Sequence, residues 1–193
     1  PGLFEQRGID QALEAALQRH VALPEGGRLI IDEAAALTAI DVDIAATPGQ
    51  SRRGSIIRAA TNAVPVIIRQ LALRRIGGQV VIDFPALAVK GGGQLQTELK
   101  AEIRKLPGAR LGRIDDNGLA VLILPRRQPS LLDLLTEETG DDPVPGRRLT
   151  ARAIAADALR AAALRLARQS SARFDIAAQA EVVELINRNP DWL

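Results

Sequence analysis

Residues 28–43, Arg-Leu-Ile-Ile-Asp-Glu-Ala-Ala-Ala-Leu-Thr-Ala-Ile-Asp-Val-Asp, constrain the chain more than any other stretch. They read as two strands, 28–32 and 37–44, joined by a short turn. Side chains alternate faces along a strand. Thr38, Ile40, Val42 and Ile44 therefore share one face, and Leu37, Ala39, Asp41 and Asp43 share the other. Asp41 and Asp43 become next neighbours on one face, roughly 7 Å apart at a rise of about 3.3 Å per residue. Like charges this close repel, and a divalent cation relieves the repulsion because carboxylate oxygens ligate Mg²⁺ or Mn²⁺. A solvated strand end accounts for the same pair with no ligand, and spacing alone does not decide between the two.

The flanking segments place these strands in a mixed α/β unit. Residues 9–20 carry Ile9, Leu13, Ala16 and Leu17 at helical spacing, with His20 closing the helix. Pro24-Glu25-Gly26-Gly27 is a turn into the first strand. Residues 47–55 read as a polar, basic loop that could carry Arg52 and Arg53 over the aspartates. A helix follows, with Asn62 as N-cap, Pro65 in its first turn and Gly77-Gly78 at its end. Its buried stripe is Val64, Ile67, Ile68 and Leu71; Arg69, Arg74 and Arg75 fall mostly on its other faces. Residues 79–84 form a nearly continuous apolar strand, hence a central one. Asp83 lies near its end, where it could meet Asp41 and Asp43 across the sheet.

Residues 89–93 are glycine-rich but lack the Gly-Lys-Ser/Thr ending of a nucleotide-binding loop. A helix over 94–106 and strands over 109–114 and 119–124 complete the unit, with Asn117-Gly118 as a hairpin signal. The order strand-strand-helix-strand-helix-strand-strand describes an α/β sandwich with mixed pairing. Beyond it, Ser130 caps a short helix over 131–138, and 139–148 reads as a linker rich in Pro, Gly and Asp. A long helix over 150–169, an extended piece over 173–177 and a last helix over 179–187 follow, with Trp192 as a packing anchor.

Composition narrows the partners. The chain has 193 residues, enough for one domain plus an appendage. It has no cysteine, which excludes disulfides and cysteine-based zinc sites and fits a reducing, cytoplasmic setting. No run approaches the ~20 apolar residues of a membrane helix, so no membrane partner is expected. The absence of any Met fits a piece of a longer protein. Net charge is only +2, but the sequence pI is about 9.7, and lysine occurs only at 90, 100 and 105. Arginine suits phosphate because its planar fork donates two parallel hydrogen bonds. Arg52, Arg53 and Arg69 are the candidates for holding a phosphate backbone. Aromatics at 2% argue against a base-stacking platform.

The order of residues 24–43, then Thr61-Asn62, then 68–84, resembles the catalytic half of the ribonuclease E/G family. The resemblance continues through Asn117-Gly118-Leu119 and residues 126–131, and the C-terminal part, with Arg173-Phe174 and the closing helix, is similar to that family's small domain. It implies a metal-dependent endoribonuclease that cuts single-stranded RNA. The implied organisation is the end of an RNase H-like subdomain at 1–16 and a DNase I-like subdomain at 17–130. A linker at 131–148 and a small domain at 149–193 would follow. The family's S1 and 5′-end-sensing parts would precede residue 1, so RNA affinity and end preference are expected to be poor in this chain.

Asp41 matches the first metal-binding Asp of the family, and Asp43 stands where Asn is common. The second metal-binding Asp normally falls in Asp-Phe-x-Asp-Met; here the segment is Asp83-Phe84-Pro85-Ala86-Leu87, so Ala86 occupies its place. Either Asp43 and Asp83 rebuild the catalytic site beside Asp41, with Asp41 and Asp43 holding Mg²⁺ or Mn²⁺, or the chain binds RNA without cutting it. The family's zinc-binding Cys-x-x-Cys is absent, so no zinc is expected. A homo-oligomer through the small domain stays open.

Overall fold

The computed structural model describes residues 3–45, 52–90, 93–139, 146–168, 173 and 175–192. In chain order the first elements are α1 (Leu3–Gln6), α2 (Ile9–Leu17), β1 (His20–Ala22), β2 (Arg28–Glu33) and β3 (Thr38–Asp43). Then come α3 (Arg52–Leu73), β4 (Gly78–Asp83), α4 (Ala86–Val89), α5 (Gln94–Glu102), β5 (Arg110–Ile114) and β6 (Leu119–Leu124). The last are α6 (Leu131–Leu135), β7 (Thr136–Thr139), β8 (Gly146–Leu149), α7 (Ala151–Arg168) and α8 (Ala180–Asn187). The chain divides into two compact units, one of residues 13–131 and one of residues 1–12 with 132–193.

The larger unit is built on a six-stranded mixed sheet in the order β1-β2-β3-β4-β6-β5. β3 and β4 pair in parallel; β2 with β3 and β4 with β6 pair antiparallel. Alternation sorts the side chains as expected: Thr38, Ile40 and Val42 are buried, whereas Ala39, Asp41 and Asp43 are exposed. Val80 and Ile82 of β4, and Ala120, Leu122 and Leu124 of β6, point to the same buried side. Helices α3, α4 and α5 supply the rest of that core through residues such as Val64, Ile67, Ala88 and Leu99. Each large aliphatic side chain buried there contributes about 1.5–3 kcal/mol relative to exposure. The mixed α/β class holds, with β4 central in the sheet.

Helix α3 is longer than the sequence pattern suggests. It begins at Arg52, so Asn62 is not its N-cap and Pro65 is interior rather than in the first turn. Ser55, Ala59, Ala60, Ala63, Val64, Ile67, Ile68 and Leu71 make one continuous buried stripe at helical spacing. Pro65 lies on the exposed side, where its missing N–H leaves the Thr61 carbonyl without that donor. By length and composition this helix could cross a bilayer, but Ala60, Ala63, Val64, Ile67, Ile68 and Leu71 are packed into the core.

The helix ends before the glycines. Arg75 takes φ +56°, Ile76 N–H donates to the Leu71 carbonyl at 3.0 Å, and Arg75 N–H to that of Ala72 at 3.2 Å. This double bond pattern is a C-terminal cap with arginine in the usual glycine place. Arg74, expected on an outer face, is buried at 3% exposure. Its guanidinium donates to the Gln18 carbonyl at 2.7 Å and to Gln70 Oε1 at 2.9 Å. His20 does not close α2: it opens β1 and pairs with Ile30.

The smaller unit contains the β7–β8 hairpin with α1, α7 and α8. Residues 131–148, expected as a linker, include α6 and this hairpin, while 140–145 lie outside the described residues. Arg148 pairs with Glu137 across the hairpin at 2.8 Å. Arg160 of α7 pairs with Asp10 and Asp157 and lies 4.8 Å from the Phe4 ring centroid. Arg152 stands 6.0 Å over the Trp192 ring, and Trp192, expected as a packing anchor, is 38% exposed. Ala155, Val182 and Ile186 form its small apolar centre.

Candidate functional site

The parallel pairing of β3 and β4 sets Asp41 directly beside Asp83 in register. Adjacent strands lie about 4.8 Å apart, so the two carboxylates are neighbours, Asp83 at the end of β4 and Asp41 two residues before the end of β3. Both are exposed on the sheet face opposite the helical layer. They open onto a cleft of about 390 Å³, which Asp43, Ile56, Phe84, Pro85, Ala86 and Asn117 also line. Asp43 is engaged elsewhere: its carboxylate lies 3.3 Å from Arg28 Nε on the neighbouring strand, where the two residues are register partners. Among the described residues, no three or more His, Cys, Asp or Glu side chains are grouped as a metal-holding cluster. The donor set is thus the Asp41–Asp83 pair with Asp43 at its side. Two carboxylates suit a cation that keeps several of its waters, and do not suit an all-protein cage.

The cleft walls are held by close backbone packing. The hairpin turn between β5 and β6 lies against the end of β4, with Phe84 N–H donating to the Gly118 carbonyl at 3.1 Å. Gly118 has φ +111°, and a Cβ there would stand 1.9 Å from the Phe84 carbonyl oxygen, so only glycine fits. Asp115 Oδ1 accepts from the N–H groups of Leu119 at 2.9 Å and Asn117 at 3.0 Å, fixing the turn. Those backbone donors, Leu119 first, hold the Asp115 carboxyl below its usual range. On the other side, a Cβ on Gly27 would meet the Asp43 carbonyl oxygen at 2.2 Å. Glu25, in the same turn, accepts from Arg58 Nε at 3.2 Å and from Asn62 Nδ2, tying α3 to the strand ends.

The arginines expected at the site divide. Arg53 Nη2 donates to the Lys90 carbonyl at 2.7 Å, linking the start of α3 to the end of α4. Arg52 begins α3, but its side chain lies outside the described residues, as do residues 46–51. Arg69 is exposed on α3 about 20 Å along the axis from Ile56, and so does not reach the cleft. Ile56 and Asn117 are cleft residues that sequence reasoning missed. Asn117-Gly118 was visible as a hairpin turn, but its seat against Phe84 depends on sheet order.

The profile of the Ribonuclease E/G family matches residues 1–105. The chain belongs to the ribonuclease E/G family. It is 36% identical over 135 residues to Ribonuclease E of Haemophilus influenzae, covering 67% of this chain and 14% of that protein. It is 36% identical over 132 residues to Ribonuclease E of Escherichia coli, covering 67% and 12%. With Ribonuclease G of Escherichia coli it shares 36% identity over 83 residues, 42% of this chain and 17% of that one. The chain therefore spans a small part of the family members it matches.

Proposed function

We propose that this chain carries the catalytic face of a metal-dependent endoribonuclease that cleaves single-stranded RNA, with Asp41 and Asp83 holding Mg²⁺ or Mn²⁺. The observation that supports it most is the register pairing of Asp41 with Asp83 on an open face, in a cleft. Asp41 supplies one carboxylate and Asp83 the other, in the absence of a carboxylate at Ala86. A cation bound there would act as a Lewis acid on water or on the scissile phosphate. Asp43 contributes negative charge at the rim while Arg28 orients it. The open sheet face leaves an extended RNA strand room to approach both aspartates. Arg53 braces the start of α3, and Arg52 is the remaining candidate for a backbone contact, while Arg69, on the helical layer, does not reach this face. The same reading carries a cytoplasmic location, no zinc, and a subdomain of DNase I type over residues 17–130.

The test compares the full-length protein with its Asp41→Asn variant on a labelled single-stranded RNA with Mg²⁺. Cleavage should fall by roughly two orders of magnitude or more. Equal cleavage by both proteins would sink the site. Ala86 and the Arg28–Asp43 ion pair favour a second reading, an RNA-binding member that does not cut. Salt-sensitive RNA binding with no cleavage by either protein would select it.

A further inference from the structure

At the other end of β4, about 17 Å of strand from Asp83, the larger unit has a second groove. It encloses about 340 Å³, within the usual ~300–1,000 Å³ range of ligand pockets. Its floor is aliphatic, formed by buried Leu71, Ile76 and Leu124. Arg75, Lys105 and Arg127 stand on its lining, and none of the lining residues is acidic. Lys105 also pairs with Glu102.

Arg75 is the informative member. A left-handed backbone costs a non-glycine residue roughly 1–2 kcal/mol, and the capping position it fills usually holds glycine. Glycine occurs just beyond, at 77 and 78, yet the strained position carries a cation that faces the groove. Strained residues of this kind cluster at ligand sites.

We propose that this groove seats an unpaired nucleotide of an RNA strand. The phosphate would meet Arg75, Arg127 and Lys105, and the base would lie on the aliphatic floor beside the Gln128 amide. Charge complementarity selects an anionic occupant. An apolar groove with three cations on its lining suits a phosphate joined to a base better than a string of carboxylates. The inference takes its ligand class from the RNA reading above, but it does not require that the chain cut RNA.

The experiment measures anisotropy of a fluorescein-labelled single-stranded RNA with the full 193-residue chain, in EDTA so that no cleavage intervenes. Arg75→Gly removes the cation and the backbone strain together. It should weaken binding roughly fivefold and reduce the salt slope by about 0.7, while the melting temperature rises. Ala72→Trp fills the groove and leaves every charge in place; it too should weaken binding about fivefold or more. Arg188→Ala, a charge loss on the smaller unit, should leave affinity unchanged. Binding unaffected by Arg75→Gly, or lost with Arg75→Gly but untouched by Ala72→Trp, overturns the seat. So does an acidic, leucine-containing peptide that binds the groove while RNA does not. A chain that passes these tests but never cleaves RNA refutes only the nuclease reading.

Discussion

Arg58 Nε reaches Glu25 Oε2 at 3.2 Å, joining the first half of α3 to the turn that precedes β2. Asn62, one helical turn further, donates to the other oxygen of the same carboxylate. Glu25 therefore ties the helix that carries Ile56 to the turn packed beside the end of β3, the strand that carries Asp41 and Asp43. Because Arg58 is half-exposed, Glu25→Ala should cost only about 0.5–1 kcal/mol of stability in urea denaturation. Its effect on RNA cleavage should be larger than that loss implies, since the cleft wall is released. A cleavage rate that stays at the wild-type level would remove Glu25 from any positioning role.

Ala86 is exposed at the first position of α4 and borders the cleft. An acidic side chain is tolerated there and gains from the free N–H groups of the first helical turn. Ala86→Asp should fold normally and bind Mn²⁺ more tightly, by about tenfold in calorimetric titration, with faster RNA cleavage. Unchanged metal affinity would show that position 86 does not face the bound cation.

Gly118 cannot accept a side chain without moving Phe84. Gly118→Ala adds both a positive-φ penalty and a clash with a backbone oxygen, so it should cost about 3 kcal/mol or more. Hydrogen exchange should locate the loosening at the ends of β4 and β6. A stability equal to the parent's would mean that the hairpin tip does not pack on Phe84.

Asp115 offers a pH test. Its folded-state pKa is depressed below the ordinary 3.8 by backbone donors from Leu119, Asn117 and Gly118. The carboxylate therefore stabilises the fold above that ordinary value, and the contribution is lost as pH falls through the lower folded-state pKa. Asp115→Ala should be less stable than the parent at pH 7, and the gap should narrow as the solution is acidified below about pH 4. A gap that stays constant with pH would contradict a role for the charge.

Local signals and long-range packing explain which parts were readable from the sequence. The β2 and β3 strands were visible because Thr38, Ile40 and Val42 alternate with residues of the open face. The β5–β6 hairpin was visible through Asn117-Gly118. The first part of α3 was hidden because Gly54, Asn62 and Pro65 imitate a loop and a helix start, whereas the Ala59–Ala60–Ala63 stripe carries little hydrophobic signal. β8 was hidden because all its residues are exposed, leaving no apolar alternation to mark a strand. Arg74 looked like a surface residue; its burial depends on a carbonyl at Gln18, far off in sequence. The adjacency of Ile56 and Asn117 to the aspartates follows from sheet order and close backbone contacts, which no local pattern encodes.

Strand β4 lies between β3 and β6, so the strand bearing Asp83 is flanked by an earlier neighbour and a later one. In a chain that lacks residues 119–124, β3 and β4 can still pair and set Asp41 beside Asp83. There β4 has one bare edge, able to join any other extended chain. Completion of β6 closes that edge and, by the same event, brings Gly118 and Asn117 against Phe84. Covering of the β4 edge and closure of the cleft at Phe84 thus depend on one stretch of chain, the β5–β6 turn with β6.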